Sequence, residues 1–270
     1  MITDSLGKGL AVVTGASSGM GLEFARELSR SGYTVLAVAR RLDRLEALAR
    51  DAARKNGRVV PLAADLGTAK GLESVVAQIT NSSGVDLLVN NAGVATSGDF
   101  AGSALEREIA EISLNVNAVV TLTHAVLAQM LRRGRGGIIN LASVVAFQPF
   151  PHFAVYAASK AFVLSFTEAL SEEVKGSGVR IVALCPGAAK TEMNVFSQNE
   201  GLLGKLPSLS AHQIVEAALR GLEGGNVVKI VGWPNRTLVF LNRFVPRAAV
   251  RWMMGAIAKA PRLAASNSNT

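Results

Sequence analysis

The chain has 270 residues, of which 49% are hydrophobic and only 18% are charged. This composition excludes a disordered chain and is sufficient for a large core, and the length allows one or two domains. The single cysteine, Cys185, excludes an intramolecular disulfide and favours a reducing compartment. Because His124, His152 and His212 are far apart in the sequence, no metal-ligand spacing is present and no metal is expected.

The net charge of +8 would suit a nucleic-acid-binding protein, but its distribution along the chain argues against that function. From Asn226 to the end the chain carries seven Lys or Arg residues and no Asp or Glu, so the preceding part is nearly neutral. We therefore expect no nucleic-acid partner, and the basic tail needs a local explanation. Residues 1–5 lack the pattern of a signal peptide, which favours a cytoplasmic protein.

Short apolar runs alternate with amphipathic segments along most of the chain. The runs predict strands at residues 10–13, 34–38, 58–62, 85–89, 137–141, 179–184 and 227–231. The segments between them predict helices at residues 19–31, 42–54, 104–132, 154–175 and 210–222, and a further helix that ends near residue 79. Continuously apolar strands are typical of parallel sheets buried on both faces. The alternation predicts a single α/β domain of three layers, with a doubly wound parallel sheet of about seven strands between helices.

A glycine-rich segment joins the first strand to the first helix, with Gly15, Gly19 and Gly21 in the spacing G-x-x-x-G-x-G. Glycines let the backbone approach a pyrophosphate closely, and the start of a helix supplies free N–H groups. A plain tight turn between strand and helix would also explain the glycines alone. Their position after the first strand of an α/β chain favours a dinucleotide site.

Four more motifs follow this segment in the chain. They are residues 90–93 (Asn-Asn-Ala-Gly), Ser143, residues 156–160 (Tyr-Ala-Ala-Ser-Lys) and residues 186–191 (Pro-Gly-x-x-x-Thr). Together the five motifs resemble the short-chain dehydrogenase/reductase family over about residues 8–232. The resemblance implies a Rossmann-type catalytic domain at residues 1–232 and a C-terminal extension at residues 233–270. It also implies a homodimer or homotetramer that transfers a hydride between a nicotinamide cofactor and a carbonyl or alcohol carbon.

Tyr156 and Lys160 are four residues apart in a predicted helix, so they lie on one face. A lysine ammonium beside a tyrosine favours tyrosinate, which predicts a pKa for Tyr156 below its usual value of about 10. In the family, the residue that matches Ser143 polarises the carbonyl, the match to Tyr156 exchanges the proton, and the match to Lys160 binds the ribose and tunes the tyrosine. An amphipathic helix with a solvated lysine is the alternative for this pair alone.

The family's fourth catalytic position is an asparagine in the long helix before the fifth strand. Residues 114–118 offer both Asn115 and Asn117. We prefer Asn117 because it directly precedes the apolar residues 118–120, and Asn115 is the second candidate. The chosen asparagine would bend the helix and bind a water that relays protons through Lys160. A capping or solvent-facing role is the alternative for either residue.

The residues after the second strand predict the choice of cofactor. Ala39 stands where NAD enzymes usually place an acid, and Arg40 and Arg41 follow it. Because the guanidinium fork pairs well with phosphate, we expect NADP(H), with Arg40 at the 2′-phosphate; a solvated arginine pair is the alternative. Asn91 is expected to brace strands. The resemblance assigns the other cofactor contacts to Gly15, Ser17, Ser18, Gly19, Met20, Gly21, Asp65, Leu66, Asn90, Ala92, Gly93, Tyr156, Lys160, Pro186, Gly187 and Thr191.

Residues 193–209 mix apolar side chains with glycines next to the cofactor motif, which predicts a lid over the substrate. The opposite wall is predicted to contain Val144, Val145, Phe147, Phe150 and Phe153. Such a pocket suits a largely apolar ketone, aldehyde or alcohol. The alternative is that these side chains only fill the core. Gln148 and His152 are the polar candidates nearby, and neither is assigned a role.

The tail departs from the family pattern after Gly232. A helix that starts near Pro246 would have an apolar face that includes Trp252 and Ile257, with Arg247 and Arg251 largely off it. Such a helix could pack on its own domain or a partner subunit, or it could make a peripheral contact with an anionic membrane. We expect residues 233–262 to lie outside the hydride-transfer machinery.

Two other functions compete with the oxidoreductase. One is an isomerase-type enzyme on the same fold, and the other is a non-catalytic NADP-binding interaction protein. Ser143, Tyr156 and Lys160 together argue against the non-catalytic protein, because a binding module needs no such set. The residues do not separate the isomerase from the oxidoreductase, so the alternative stays open.

Overall fold

A doubly wound parallel sheet forms the centre of the protein. The computed structural model describes residues 8–187 and 208–259. The strands in this part of the chain are β1 (Leu10–Thr14), β2 (Thr34–Ala39), β3 (Arg58–Ala63), β4 (Val85–Asn90), β5 (Gly136–Leu141), β6 (Val179–Cys185) and β7 (Val228–Ile230). They lie in the order β3-β2-β1-β4-β5-β6-β7, and every neighbouring pair is parallel. The predicted sheet is therefore confirmed.

Helices cover both faces of this sheet. They are α1 (Gly19–Arg30), α2 (Leu42–Ala53), α3 (Ala69–Thr80), α4 (Leu105–Ile112), α5 (Ala118–Arg133), α6 (Ala154–Glu173), α7 (Ala211–Glu223), α8 (Trp233–Asn242) and α9 (Arg247–Lys259). The long helix predicted at residues 104–132 is two helices, since a π-helical segment, Ser113–Asn117, separates α4 from α5. Helix α8 was not predicted from the sequence.

Two apolar cores, one on each side of the sheet, produce the three layers. Phe24 and Leu28 of α1 pack with Leu219 of α7 in one core, and Leu122 of α5 lies in the other. Successive residues of a strand point to opposite faces. For this reason neighbouring residues of β1 belong to different cores, with Val13 in the first and Val12 in the second.

The interrupted helix that runs from Leu105 to Arg133 is long and apolar enough to cross a membrane, which holds for no other helix of the described residues. It packs against β4, β5 and α3 in the structure. Leu122 and Met130 are buried there among side chains of the sheet. The apolar character of this helix is therefore explained by its place in the core.

The strand order places a crevice at the carboxyl edge of the sheet. The chain runs outward from β1 through β2 and β3 on one side, and through β4 to β7 on the other. Ligands of such sheets bind where the strand order reverses, which here lies between the carboxyl ends of β1 and β4. The glycine-rich segment follows β1, and residues 90–93 lie at the end of β4. The fold therefore brings two of the five motifs to one place.

Candidate active site

A cleft of about 300 Å³ opens at this edge of the sheet. It is lined by the glycine-rich turn, the residues after β2 and β3, and residues 91–94. The predicted cofactor residues in this lining are Gly15, Ser17, Ser18, Gly19, Met20, Arg40, Asp65, Leu66, Ala92 and Gly93. Residues from four separate parts of the sequence thus meet around a single cavity.

Two positions of the glycine-rich turn cannot accept a side chain without a change in the backbone. Gly15 has φ +67°, in the left-handed region, and a Cβ atom at Gly21 would lie 2.2 Å from the Gly15 carbonyl oxygen. Ser18 precedes α1 and makes no side-chain cap to it. The first-turn N–H groups of α1, at the wall of the cleft, are therefore free to bind an anion, and this arrangement fits a pyrophosphate.

Two arginines border the cleft where β2 ends without an acidic residue. Arg41 donates from Nη2 to the hydroxyl oxygens of Ser18 at 2.9 Å and of Ser17 at 3.1 Å. Arg40 is exposed and lines the same cleft. Arg40 alone was expected at the 2′-phosphate, whereas both arginines line the cavity in the structure.

Asn91 braces the end of β4 against Thr14 of β1, as the sequence predicted, whereas Asn90 does not lie where it was expected. Asn90 is buried, and its Nδ2 donates to Asn140 Oδ1 at 2.8 Å and to Thr123 Oγ1 at 3.1 Å, which braces β4 against β5 and α5. Asn91 lines the cleft, and its Nδ2 donates to the Thr14 carbonyl at 2.8 Å. The prediction that the Asn90 side chain faces the ribose is wrong, because this last residue of β4 points into the helical layer.

Ser143, Tyr156 and Lys160 converge beyond the carboxyl end of β5, as the sequence predicted. Ser143 lies two residues after β5, and α6 carries both Tyr156 and Lys160. Lys160 Nζ lies 5.9 Å from the centre of the Tyr156 ring and donates to the Leu141 carbonyl at 2.9 Å. All three side chains are buried.

Burial controls the ionisation of this pair. It raises the pKa of Tyr156 to about 12, against an opposing hydrogen bond with Ser143, and the charge of Glu111 adds to the rise. Burial also lowers the pKa of Lys160 to about 8, although the charge of Glu111 opposes this shift. The expected lowering of the pKa of Tyr156 by Lys160 is not observed, because desolvation dominates. Tyr156 thus remains protonated at neutral pH.

The structure selects Asn115 over Asn117 as the residue near Lys160. Asn115 is buried, with Oδ1 accepting from Val94 N at 3.0 Å and Nδ2 donating to Val94 O at 2.9 Å and to Ser159 Oγ at 3.1 Å. Asn117 is exposed. The geometry therefore favours Asn115, the second candidate, over Asn117, because side chains two residues apart on a helix point in nearly opposite directions. The π-helical segment does contain both asparagines, so the helix is irregular where the sequence analysis expected it to bend.

Asn115 and Lys160 lie directly behind the cofactor cleft. A Cβ atom at Gly93 would lie 3.0 Å from Asn115 Oδ1 and 3.5 Å from Lys160 Nζ. Gly93 also lines the cleft. A glycine at this position therefore lets the two polar groups approach the cavity wall closely.

A buried carboxylate near this group was missed in the sequence analysis. Glu111 is fully buried, and its Oε2 accepts from Thr96 N at 2.9 Å and also contacts the Thr96 hydroxyl, which donates to Glu108 Oε2 at 3.0 Å. Burial raises the pKa of Glu111. The spacing of Glu108, Glu111 and Asn115, three and four residues apart, could have identified this face.

An apolar wall lies beside Tyr156. Val145, Phe150 and Phe153 pack there with Val250 and Met254 of α9. The inner face of α9 packs on this cluster, and the expectation that the tail lies outside the hydride-transfer machinery stays a prediction. The packing of the tail on its own domain, one of the two alternatives, is thus confirmed for that face.

Some of the remaining predicted residues lie beside the site, and the others lie outside the residues that the structure describes. The Pro186 carbonyl accepts from Val144 N at 3.1 Å, which places Pro186 and Gly187 next to Ser143. His152 Nδ1 pairs with Asp99 Oδ1 at 2.7 Å. Thr191 and residues 193–207 of the predicted lid lie outside the described residues.

Comparison with known proteins agrees with this geometry. A family model described as short chain dehydrogenase matches residues 9–200. The chain belongs to the short-chain dehydrogenase/reductase family. It is therefore an oxidoreductase of a family that binds a nicotinamide cofactor and acts on alcohol or ketone groups of small molecules.

Individual relatives of this dehydrogenase/reductase differ in length and in described activity. A short chain dehydrogenase from Pseudocercospora fijiensis is 37% identical over 186 residues, which span 68% of this chain and 60% of that protein. A short-chain dehydrogenase from Sphingobium yanoikuyae, solved with NADPH, has a TM-score of 0.78 and 31% identity, with 87% and 93% of the two chains covered. A bulky-bulky ketone specific alcohol dehydrogenase from Comamonas testosteroni has a TM-score of 0.75 and 29% identity, with 87% and 92% covered.

Alanine variants of Asn115 and Asn117 test which of the two asparagines supports the site. Asn115→Ala leaves the polar backbone groups of Val94 without their partner, so we expect a loss of about 1–3 kcal/mol in the free energy of unfolding. The same variant should lower kcat, because the surroundings of Lys160 change. Asn117→Ala should match the wild type in both urea denaturation and turnover. Equal losses in the two variants would contradict this assignment.

Proposed function

We propose that the protein transfers a hydride between NADP(H) and the carbonyl or alcohol carbon of an apolar substrate, with Tyr156 as the proton donor and acceptor. The observation that carries this proposal is the convergence of buried Ser143, Tyr156 and Lys160 beside the cofactor cleft. Nicotinamide bound in this cleft would supply or take up the hydride. The protein's own residues would hold the substrate oxygen and exchange its proton.

The ionisation of Tyr156 supports the direction of this proton transfer. With its pKa raised to about 12, the phenol is protonated at neutral pH and can donate to a carbonyl oxygen while the carbon accepts the hydride. Ser143 would donate a hydrogen bond to the same substrate oxygen. The ammonium of Lys160, whose pKa is about 8, would stabilise the tyrosinate that forms. Glu111 favours the charged form of Lys160 and would assist this step.

The residues after β2 support NADP(H) over NAD(H). Ala39 leaves no carboxylate to bind a ribose 2′-hydroxyl, and Arg40 and Arg41 offer two guanidinium groups to a 2′-phosphate. Ser17 and Ser18 lie close enough to bond Arg41 and would share the anion. The Sphingobium relative, described in complex with NADPH, agrees with this proposal.

The wall beside Tyr156 supports an apolar ketone or the corresponding alcohol as substrate. Phe150, Phe153 and Met254 belong to the same apolar cluster as the tyrosine, and the polar Gln148 is paired with Met254 Sδ and Asn242 Nδ2. The Comamonas relative, described as specific for bulky-bulky ketones, shares the fold. An isomerase-type reaction would use the same residues, and net consumption of NADPH with a ketone distinguishes the two functions.

Replacement of Tyr156 tests the proposed reaction. Tyr156→Phe removes the transferable proton and little volume, so we expect turnover of apolar ketones to fall at least a hundredfold, roughly the contribution of general acid catalysis. NADPH affinity, measured by fluorescence titration, should change less than about threefold. Phe153→Tyr, a conservative change in the same cluster, serves as the control and should keep measurable turnover. Near wild-type turnover in Tyr156→Phe would overturn the mechanism.

Replacement of Arg40 tests the choice of cofactor. Arg40→Ala removes a charge-assisted contact worth about 1.5–3 kcal/mol, so NADPH affinity should fall roughly ten- to a hundredfold. NADH affinity should be nearly unchanged. Arg44→Ala, an exposed change outside the cleft lining, is the control and should affect neither cofactor. Equal losses for NADPH and NADH would show that Arg40 does not contact the 2′-phosphate.

The outer face of α4 supports assembly as a homodimer or homotetramer. Leu105, Ile109 and Ile112 are exposed at the spacing of one helical face. Ile109→Glu places a charge on this face and should reduce the mass measured by light scattering to that of a smaller species. Ala110→Glu makes the same charge change on another side of α4, and its mass should equal that of the wild type. A monomeric wild type would refute the proposed assembly.

A further inference from the structure

The C-terminal helices leave large aromatic side chains exposed. Trp233 of α8 is 78% exposed, Phe244 in the turn after α8 is 72% exposed, and Trp252 of α9 is 76% exposed. On α8, Trp233 and Phe240 are seven residues apart and therefore share one helical face, and Phe244 lies in the turn that follows α8. The rings of Phe240 and Phe244 meet edge to face at 5.3 Å. Several large exposed apolar side chains in one short part of the chain are typical of an interaction surface.

Arginines are interleaved with these aromatic residues. Arg236 and Arg243 line one shallow groove with Trp233 and Phe240, and the arginines of α9 are exposed as well. We use the name basic aromatic surface for a set of exposed residues from α8, the turn after it and α9: Trp233, Arg236, Phe240, Arg243, Phe244, Arg247, Arg251 and Trp252. From Asn226 to the end of the chain the sequence contains no Asp or Glu, so no acidic side chain of the tail neutralises this surface.

The opposite sides of the same helices already have partners. Val239 is buried, and Val250 and Met254 pack against the wall beside Tyr156. Asn242 Nδ2 donates to Gln148 Oε1 at 3.0 Å, which ties the end of α8 to the domain. The basic aromatic surface is thus the outer face of a segment whose inner face holds it in place.

The charge of this surface decides between its possible occupants. A second copy related by a two-fold axis would bring the same patch against itself, and its arginines would face arginines. An anionic lipid bilayer offers phosphate groups to the arginines and a headgroup region in which Trp and Phe rings are favoured. Long arginine side chains can reach the phosphates while the rings enter the acyl boundary.

We propose that the basic aromatic surface docks the protein on anionic membranes. The contact is peripheral, because α8 has 10 residues and α9 has 13, fewer than the roughly 20 apolar residues that a spanning helix needs. This binding is separate from the proposed reaction. A protein that binds lipid but does not consume NADPH would refute only the reaction, and an active protein that ignores lipid would refute only the docking.

Flotation of the full-length protein with lipid vesicles tests the proposal. The wild type should float with vesicles of phosphatidylcholine mixed with phosphatidylglycerol and should bind vesicles of phosphatidylcholine alone much more weakly. Salt should weaken the binding, since the attraction is electrostatic. Each arginine near an anionic surface contributes about fivefold, so Arg236→Glu/Arg243→Glu should lower the partition coefficient at least about 25-fold.

Two further variants complete the test. Trp233→Ser/Phe244→Ser keeps the charge and should also lose binding, because it removes aromatic area. Arg54→Glu/Arg132→Glu makes the same charge change at the opposite edge of the sheet, where α2 and α5 end, and should bind more tightly than the arginine variant. Circular dichroism identifies the folded variants.

Three results would overturn the proposal. The first is a folded wild type that does not float with anionic vesicles. The second is an equal loss in the control and in the arginine variant, which would show that only net charge matters. The third is a change in mass by light scattering in the surface variants, which would identify the surface as a contact between copies.

Discussion

The buried ammonium of Lys160 is the constraint on which the site depends. A cation without contact with water is costly unless polar groups surround it. Here the Leu141 carbonyl accepts from it at 2.9 Å, and the buried carboxylate of Glu111 raises its pKa against the effect of burial. Leu141 ends β5, so the position of the charge is set by the central sheet and not by a flexible loop.

The irregular helix between α4 and α5 supplies a second polar group close to Lys160. The π-helical segment places Asn115 against Val94, Ser159 and the wall at Gly93. Such segments are rare and frequently occur at functional sites. Because a Cβ atom at Gly93 would nearly touch both Asn115 and Lys160, the cofactor cleft and the buried polar groups are separated by one glycine. Gly93 thus allows the cleft at the end of β4 to lie directly against the polar groups of the π-helical segment and of α6.

The C-terminal extension has two faces with different environments. Its inner face, with Val250 and Met254, completes the apolar wall beside Tyr156. Its outer face presents Trp233, Phe244 and Trp252 to the surroundings together with arginines. An amphipathic helix normally needs one buried face and one polar face. The large exposed aromatic side chains here go beyond that requirement, and the proposed membrane contact would account for them.

Much of the fold could be predicted from the sequence, because runs such as residues 85–89 are apolar enough to be buried on both faces of a parallel sheet. The meeting of Ser143, Tyr156 and Lys160 was also predictable, since one follows a strand and the other two share a helical face.

Other features depended on distant parts of the chain. Asn115 points inward from the π-helical segment, and Asn90 at the end of β4 points into the helical layer. Helix α9 packs beside Tyr156. Burial raised the pKa of Tyr156 although Lys160 is nearby. Hydrophobic pattern and local spacing are properties of neighbouring residues, whereas desolvation sums over every atom that packs around a group, so only the tertiary structure could decide it.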